Sequence, residues 1–297
     1  MPVCIQVPAS TSNLGSGFDT LGLAVRLYNQ LHVRRCSGKQ IVPAWKLEEE
    51  DRSWFAEAFA AAGNLFFRTT GVRRFGVEVN LLEQVPVARG LGASATVRVG
   101  VLAALNELSA AKIDRELLLS MATELEGHPD NASPAIFGGF TVSGRVAGVV
   151  RCSSFRVASR LKLVTLMPSF GISTEDARRL MPSSYSKADT AHALNRAALI
   201  TAAMADGDYE SLRGVFDDRM HQPYREKLLP QLPEVIRAGE RAGALGGFLS
   251  GSGSSIICLA LTRADSVRRA MQNVMRDSEV KILEADNSGL KVLKRER

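Results

Sequence analysis

A glycine-rich loop between a strand and a helix restricts the fold of this chain more than any other segment. The loop runs from Val85 to Ala95 and reads VPVARGLGASA. Before it, the segment Phe75–Leu82 alternates apolar and polar residues, which is typical of a half-buried strand. After it, apolar residues recur at helical spacing, at Val101, Leu102, Leu105 and Leu108. The sequence therefore predicts that the loop places small residues at the N-terminus of a helix.

Such a helix N-terminus is suited to binding an anion. Its first N–H groups have no partner within the helix, and the helix dipole adds a partial positive charge there. Gly90 and Gly92 would let a phosphate approach the backbone closely. The hydroxyl of Ser94 would reach Mg2+ or a phosphate oxygen. The simpler alternative is an ordinary loop with a serine near the start of a helix.

Two well-known nucleotide motifs fit this loop poorly. It is not a Walker A motif, because no Lys-Ser or Lys-Thr pair follows at the required spacing. The pattern Gly90-x-Gly92-x-x-Ala95 matches a Rossmann turn, but Glu83–Arg89 separates it from the strand. The acidic residues about 20 positions on should end a second strand, yet they begin the helical segment Arg115–Glu126. A dinucleotide-binding oxidoreductase is therefore a weaker alternative.

Composition excludes several other classes. The 297 residues favour two domains, and 45% hydrophobic with 23% charged residues is typical of a globular protein. The net charge is +6, but the basic residues are interleaved with acidic ones, and only 6% of the residues are aromatic. We therefore expect no nucleic-acid partner. The four cysteines and four histidines show no metal-site spacing, which predicts neither a zinc site nor a disulfide framework.

No segment resembles a signal peptide or reaches the roughly 18 apolar residues of a membrane span. The sequence therefore predicts a cytoplasmic protein without a membrane partner. We place the boundary between the two domains near residue 158, giving domains 1–158 and 159–297.

Hydrophobic periodicity predicts an alternation of strands and helices along the chain. Strands are predicted at Val3–Val7, Leu21–Val33, Leu161–Met167, Ser255–Leu261 and Val280–Glu284, with two or three more within Phe140–Val157. Further helices are predicted at Ser53–Thr69, Thr174–Leu180, Ala188–Ala205, Tyr209–Phe216, Pro233–Ala242 and Ala264–Arg276. Polar or glycine-rich loops are predicted at Pro8–Gly17, Gly127–Asn131 and Phe248–Ile256, and a loosely held end at Lys291–Arg297.

Six motifs in this order resemble those of the GHMP kinases, small-molecule kinases named for galactose, homoserine, mevalonate and phosphomevalonate. They are Val7–Asp19, Pro86–Ala95, Glu124–Asn131, Pro134–Gly139, Asp218–Arg225 and Leu249–Gly253. The matches are collinear from about residue 3 to residue 262, which is far more specific than any single loop. The departures are Ala93, Ser16 and Ser254, which stand where the family usually has Ser, Pro and Pro. Within the family, the motifs are most similar to those of the members that phosphorylate L-homoserine.

The resemblance implies a two-domain α+β GHMP kinase fold. The N-terminal, ATP-binding domain would be similar to domain 2 of ribosomal protein S5, and the C-terminal domain would be ferredoxin-like. The implied reaction transfers the γ-phosphoryl group of ATP, with Mg2+, to the hydroxyl of L-homoserine in threonine biosynthesis. The resemblance also suggests a homodimer.

The resemblance also implies roles for individual residues. Substrate would bind at Asn13, Asp19, His128, Asn131, Arg178 and Arg225. Catalytic roles would belong to Asn131, Arg178 and Asp130, although the family is thought to need no dedicated base. The nucleotide would bind at Asn64, Pro86, Val87, Ala88, Arg89, Gly90, Leu91, Gly92, Ala93, Ser94 and Ala95. Ser94 and Glu126 would hold Mg2+.

Two further alternatives remain open at this point. The chain could be a family member that phosphorylates a different alcohol, which would have no use for Asp19 and the two arginines. It could also be a sensor that binds nucleotide or amino acid without turnover. Ala93 is the feature that favours a sensor, whereas Ser94 and Glu126 argue against it.

Overall fold

Two β-sheets organise the residues that the computed structural model describes, which are 2–44, 53–109 and 111–293. The strands are β1 (Val3–Asn13), β2 (Gly17–Cys36), β3 (Ile41–Pro43), β4 (Gly76–Leu82), β5 (Phe140–Val146), β6 (Val149–Phe155), β7 (Lys162–Met167), β8 (Gly246–Leu249), β9 (Ile256–Ala260), β10 (Glu279–Glu284) and β11 (Lys291–Leu293). The helices are α1 (Ser53–Thr70), α2 (Ala93–Ser109), α3 (Arg115–Glu126), α4 (Ala132–Phe137), α5 (Thr174–Arg179), α6 (Lys187–Asp206), α7 (Gln222–Arg225), α8 (Leu232–Arg241) and α9 (Ala264–Val274).

The first sheet is built around the 20-residue strand β2. Strand β1 pairs along its length in antiparallel fashion, and the order across the sheet is β11-β1-β2-β4-β3. The C-terminal part of β2 pairs with β4, whereas Leu21–Leu23 pairs with β5, which in turn pairs with β6. One long strand thus links two groups of partners and extends the sheet toward the second half of the chain.

The second sheet has the order β10-β7-β9-β8, and every pairing in it is antiparallel. The chain passes from the first sheet to the second between Phe155 and Lys162. Segregated helices and mostly antiparallel strands confirm the α+β class. The division into 1–158 and 159–297 stays a prediction, and β11 returns to pair with β1 of the first sheet.

Three hydrophobic cores hold these layers together. The first joins helices α1 to α4 to the first sheet, and the third joins α8 and α9 to the second sheet. Between them, the second core joins β2, the second sheet and α6, through residues such as Leu23, Ile200 and Phe248. Burial of these side chains fixes the two sheets relative to each other, and the cleft described below opens beside that junction.

Both faces of β9 are buried. Ile257 and Leu259 lie in the second core, whereas Ile256, Cys258 and Ala260 lie in the third. A strand covered on both sides gives a continuous apolar run instead of an alternation. The strand predicted at Ser255–Leu261 corresponds to β9.

The predicted loop Pro8–Gly17 is wrong over most of its length, because Pro8–Asn13 continues β1 and pairs with β2. Its hydroxyl residues Ser10, Thr11 and Ser12 are buried in the structure. Polar residues of this kind are common in loops, so their composition favoured the wrong prediction. The predicted helix Tyr209–Phe216 is a 3-10 turn at Tyr209–Leu212 only.

At the C-terminus, Lys291–Leu293 forms β11 and is not loosely held, while residues 294–297 lie outside the described residues. The sequence did not predict β3, β8, α4 or α7. The predicted loop Phe248–Ile256 is wrong at its start, because Phe248 and Leu249 belong to β8. Among the described helices, none is long and apolar enough to cross a membrane.

Candidate active site

Three polar segments far apart in the chain meet around a cleft of about 610 Å³. They are the end of β1, the loop 85–95 and the loop 250–254. Ser10 N donates to Leu91 O at 3.1 Å, Gly251 N donates to Ser12 O at 3.2 Å, and Ser255 N donates to Arg89 O at 3.1 Å. These backbone hydrogen bonds bring both halves of the chain to one site.

Gly90 and Gly92 make this close packing possible. Their φ angles are +70° and +69°, a region that side chains other than glycine rarely adopt. A Cβ atom on Gly90 would overlap with the carbonyl oxygen of Ser250, and one on Gly92 would overlap with Ser10 Oγ. The sequence predicted that these glycines admit a phosphate. In the structure they admit neighbouring protein segments, and their contact with a phosphate stays a prediction.

Most of the predicted nucleotide residues line the cleft. Those that do are Val87, Ala88, Arg89, Gly90, Gly92, Ala93 and Ser94. The structure does not place Pro86, Leu91 or Ala95 among the lining residues; Leu91 and Ala95 are buried, and Leu91 belongs to the second core. The guanidinium of Arg89 is directed to backbone carbonyls, with Nε donating to Pro168 O at 2.9 Å.

Asn64 lies on the exposed surface of α1, where its side chain accepts a hydrogen bond from Arg74, and it is not among the residues that line the cleft. Trp54, on the same helix, does line the cleft. Trp54 was not predicted from the sequence, because its position at the start of an amphipathic helix carries no functional signal.

Helices α2 and α3 bring Ser94 and Glu126 together. Ser94 Oγ donates to Glu126 Oε1 at 2.6 Å, and Arg98 Nη1 donates to the same oxygen at 2.7 Å. The carboxylate is largely buried, with a side-chain exposure of 8%. A hydroxyl at the start of α2 and a carboxylate at the end of α3 are the kinds of oxygen donor that Mg2+ prefers, so this pair fits the predicted metal. Arg98 was missed, although its i,i+4 spacing from Ser94 places it on the same helix face.

The second wall of the cleft combines one carboxylate with two guanidinium groups. Asp19, with φ of +53°, donates from its backbone N to Asn13 Oδ1 at 3.1 Å. Arg178 Nη2 donates to Asp19 Oδ1 at 2.8 Å. The guanidinium carbons of Arg178 and Arg225 each lie 5.5 Å from the centroid of the Phe18 ring, a cation–π distance. The predicted residues Asn13, Asp19, Arg178 and Arg225 therefore share one wall, and Phe18 organises it.

Arg225 is almost completely buried, with an exposure of 2%. Its Nη1 donates to Gly251 O at 2.8 Å and to His221 Nδ1 at 3.2 Å. Burial, followed by the charge of Arg178, lowers the pKa of Arg225 to about 10, so the group remains charged at neutral pH. Arg225 Nε also donates to Ala177 O at 3.5 Å, so Nη1 and Nε both serve the protein. Among the described residues, Nη2 donates to no protein group.

His221 supports Arg225 and was not identified as functional from the sequence. Its Nε2 donates to Gly15 O at 2.8 Å, which leaves Nδ1 as the acceptor for Arg225. Burial lowers the pKa of His221 and so favours this neutral form. The spacing of four residues between His221 and Arg225 is a signal that sequence reasoning had available.

The floor of the cleft holds His128, Asp130 and Asn131, the remaining predicted residues. His128 Nδ1 and Asp130 Oδ1 lie 2.5 Å apart. Burial acts to lower the pKa of His128, but the hydrogen bond and charge of Asp130 outweigh it and raise that pKa overall. Asn131 accepts from Ser10 Oγ at 2.9 Å and donates to Ser12 Oγ at 3.0 Å. These contacts fix the three side chains before any ligand binds.

Two protein-family models match this chain. The description "GHMP kinases N terminal domain" matches residues 56–139, and "GHMP kinases C terminal" matches residues 197–277. The chain belongs to the GHMP kinase family. The loop 85–95, which contains one of the six motifs, lies within the first match.

Relatives of this GHMP kinase extend over almost its whole length. A homoserine kinase of Clostridium kluyveri is 32% identical, with 98% of this chain and 99% of that protein covered. A homoserine kinase of Persephonella marina is 36% identical over 96% of each chain. The crystal structure of homoserine kinase from Cytophaga hutchinsonii superposes with a TM-score of 0.84 at 25% identity, covering 98% of this chain and 97% of that one. The two-domain GHMP kinase fold is thereby confirmed.

We predict that Gly90→Ala damages the cleft more than the same change at a free glycine. Gly148 is the matched control, because its φ is +81° and its Cβ would meet nothing within 4 Å. Gly148→Ala should therefore cost only the left-handed backbone strain, about 1–2 kcal/mol. Gly90→Ala adds the overlap with Ser250, for a total of about 2–5 kcal/mol. Urea unfolding measures the loss of stability, and titration with a fluorescent ATP analogue measures the loss of nucleotide binding. Equal losses of stability and binding for both variants would contradict the packing argument.

We predict a pH dependence of stability from His128. The pKa of His128 is raised above 6.5 in the folded protein, so protonation of His128 stabilises the fold. This stabilisation is fully present below pH 6.5. It is then lost as the pH rises through the raised value. The difference in unfolding free energy between the wild type and His128→Gln should therefore narrow between about pH 6 and pH 9. Urea unfolding at several pH values measures it, and a difference that stays constant or widens would show that the pair with Asp130 does not hold a proton.

Proposed function

We propose that this GHMP kinase is a homoserine kinase, which transfers the γ-phosphoryl group of ATP to the hydroxyl of L-homoserine. The products are O-phospho-L-homoserine and ADP, and the step belongs to threonine biosynthesis. The observation that carries the proposal is the wall where Asp19 meets Arg178 and Arg225, in a cleft shared with the glycine-rich loop. Homoserine carries an ammonium, a carboxylate and a hydroxyl, so it needs both signs of charge from its site. The relatives named homoserine kinase support the same substrate.

The substrate would bind with its ammonium on Asp19 and its carboxylate on Arg225. A carboxylate is the natural counter-ion of an ammonium group, and Asn13 holds the backbone of Asp19 in place. Nη2 of Arg225 supplies the donor for the substrate carboxylate, since Nη1 is engaged by Gly251 and His221. Arg178 pairs with Asp19 at 2.8 Å and would lie near both the carboxylate and the transferred group.

The nucleotide would bind along the loop 86–95, with its phosphates at the N-terminus of α2. Free N–H groups and the helix dipole favour negative charge at that position. Ser94 and Glu126 would hold Mg2+, which neutralises phosphate charge when bound. Arg98 holds the Glu126 carboxylate in a fixed orientation. Asn64 remains the proposed contact to the ribose or base.

The reaction would depend on positioning and charge more than on proton abstraction. Phosphoryl transfer develops charge on the transferred oxygens, and preorganised donors stabilise it. Arg178 supplies a cation, and Asn131 and His128 would orient the substrate hydroxyl. Asp130 is the candidate proton acceptor, but its Oδ1 is already engaged by His128. The proposal therefore requires no dedicated base.

The proposal includes a cytoplasmic location, the division into domains 1–158 and 159–297, and a homodimer, with no nucleic-acid or membrane partner. Experiment must distinguish it from two alternatives: a GHMP kinase that phosphorylates a different alcohol, and a sensor that binds its ligand without turnover. Neither has a specific observation in the cleft that favours it over homoserine.

A panel of alcohols in an ADP-release assay tests the activity. With ATP and Mg2+, we expect L-homoserine to give the highest kcat/KM, because it alone in the panel matches both signs of charge. Mevalonate and galactose should give rates at least about a hundredfold lower, a difference of roughly 2.7 kcal/mol. A better alcohol than homoserine would assign a different substrate. Tight ATP binding without ADP release from any alcohol would indicate a sensor.

We predict that Arg225→Lys raises the KM for homoserine by about tenfold or more, a loss of at least roughly 1.4 kcal/mol. A lysine ammonium cannot serve Gly251, His221 and the substrate carboxylate together. The KM for ATP should barely move. Arg196→Lys is the control, because Arg196 pairs with Asp217 outside the residues that line the cleft.

A homoserine analogue without the carboxylate provides a second comparison for Arg225. With the wild-type enzyme, the analogue should give only a small fraction of the activity seen with homoserine. With Arg225→Lys, the analogue should be only slightly less active than homoserine, because the contact with the carboxylate is already absent. If the substitution weakens ATP and leaves homoserine unaffected, Arg225 serves the nucleotide and the substrate assignment fails.

A further inference from the structure

Arg98 lies one helical turn after Ser94 on α2 and reaches the end of α3. Its Nη1 donates to Glu126 Oε1 at 2.7 Å and to the backbone oxygen of Leu125 at 2.8 Å. The side chains of Arg98 and Glu126 are only 21% and 8% exposed. An ion pair with so little exposure is weakly screened by salt. Arg98 is therefore a fixed cation beside the carboxylate that the proposed function assigns to Mg2+.

The position of Glu126 explains why it needs such a partner. It is the last residue of α3, where the negative end of the helix dipole disfavours an anion. The guanidinium of Arg98 offsets both the carboxylate and the Leu125 carbonyl at this end of the helix. Ser94 donates to the same carboxylate oxygen at 2.6 Å. Two donors thus hold Oε1 of Glu126, whereas its Oε2 accepts from no protein group in the described part of the chain.

Packing alone does not account for Arg98. Its Nε is buried and has no acceptor among the described residues, and its Nη2 donates to no described protein group. A buried guanidinium that lacks acceptors costs free energy. Because the hydrogen bonds of Arg98 are all made by Nη1 at the end of α3, Glu126 is the group that Arg98 serves.

Glu126 is isolated from the other acidic residues of the cleft. Within the described ranges, the one group of three acidic, histidine or cysteine side chains close enough to share a metal is Asp19, His128 and Asp130, without Glu126. A lone carboxylate paired with a guanidinium leaves the pair of Ser94 and Glu126 without net negative charge. Proteins usually bind Mg2+ through one or two carboxylates together with substrate phosphates. The missing negative charge therefore has to come from the nucleotide.

We propose that Arg98 is a positioning residue that acts as the internal counter-ion of Glu126. It holds the carboxylate in place and keeps the metal affinity of the nucleotide-free protein low, so that the site takes up Mg2+ only with the phosphates of ATP. This inference rests on the metal role that the proposed function gives to Ser94 and Glu126. It does not depend on which alcohol is phosphorylated. Metal binding to the nucleotide-free protein therefore tests it separately from the homoserine assignment, which ADP release tests.

Titration with Mn2+, followed by the electron paramagnetic resonance signal of the free ion, tests the counter-ion in the nucleotide-free protein. The wild type should bind Mn2+ weakly. Arg98→Gln removes the positive charge beside Glu126, so the affinity for Mn2+ should rise about tenfold, roughly 1.4 kcal/mol. Arg98→Lys keeps the charge and should stay within about threefold of the wild type. An Arg98→Gln affinity that is unchanged or lower, or an equal rise for Arg98→Lys, would overturn the proposal.

A double variant shows where the additional Mn2+ binds. Adding Glu126→Gln to Arg98→Gln removes the carboxylate and should return the affinity to near the wild-type value. If the gain persists, the metal binds elsewhere and the proposal fails. Arg68→Gln is the matched control, because Arg68 pairs at 2.6 Å with Glu124, which is also on α3 but does not line the cleft. It leaves a solvated carboxylate without its partner and should not change Mn2+ binding.

Steady-state kinetics measures the positioning of Glu126. At saturating Mg2+, the kcat of Arg98→Gln for ADP release with homoserine should fall about tenfold, because the carboxylate is held less firmly. The KM for homoserine should change by less than about twofold, and Arg98→Lys should recover part of the kcat. Tighter metal binding with slower turnover is a combination that partial unfolding does not produce. Arg98→Met provides a second neutral variant if circular dichroism shows that Arg98→Gln is unfolded. A change confined to the KM for homoserine would refute the positioning role.

Discussion

Backbone contact between one strand end and two loops is the constraint on which the cleft depends. The end of β1, the loop 85–95 and the loop 250–254 exchange main-chain hydrogen bonds, and Gly90 fits where any side chain would overlap with Ser250. Two of these segments belong to the first sheet and its helices, and the third follows β8 of the second sheet. The site therefore exists only because the second hydrophobic core holds the two sheets in a fixed relation.

Charge in the cleft is balanced locally before any ligand enters. Asp19 pairs with Arg178, Asp130 pairs with His128, and Glu126 pairs with Arg98. Glu126 and Asp130 are largely buried, and a buried charge is costly without a partner, so Arg98 and His128 stabilise these two carboxylates. The same cleft therefore holds both acidic and basic side chains, which can give up contacts with each other to bind a zwitterionic substrate. The neutral ring of His221 adds support by accepting from Arg225 without adding charge.

The errors of sequence reasoning cluster where polar residues are buried. Ser10, Thr11 and Ser12 resemble a loop by composition, yet they extend β1 because their backbone pairs with β2 and their side chains face the cleft or its supports. The contact of Asn64 with the nucleotide stays a prediction, and α1 places its exposed side chain beside Arg74. Conversely, Arg98 and Trp54 line the cleft and lie outside all six motifs. Burial of a polar residue depends on the whole fold, and periodicity cannot report it.

The sequence by itself determined the local elements and the family. Helix α3 was predicted at Arg115–Glu126 and is found there, because Asp114 caps its first turn and Gly127 ends it in a left-handed conformation. The six motifs identified the GHMP kinases, and most of the predicted site residues lie in one cleft. Only the tertiary structure decided which of them touch, as when Arg225 reaches Gly251 or Asn13 reaches the same carbonyl. Caps and periodicity are local properties of the chain, whereas contacts between distant segments are set by how sheets and cores pack.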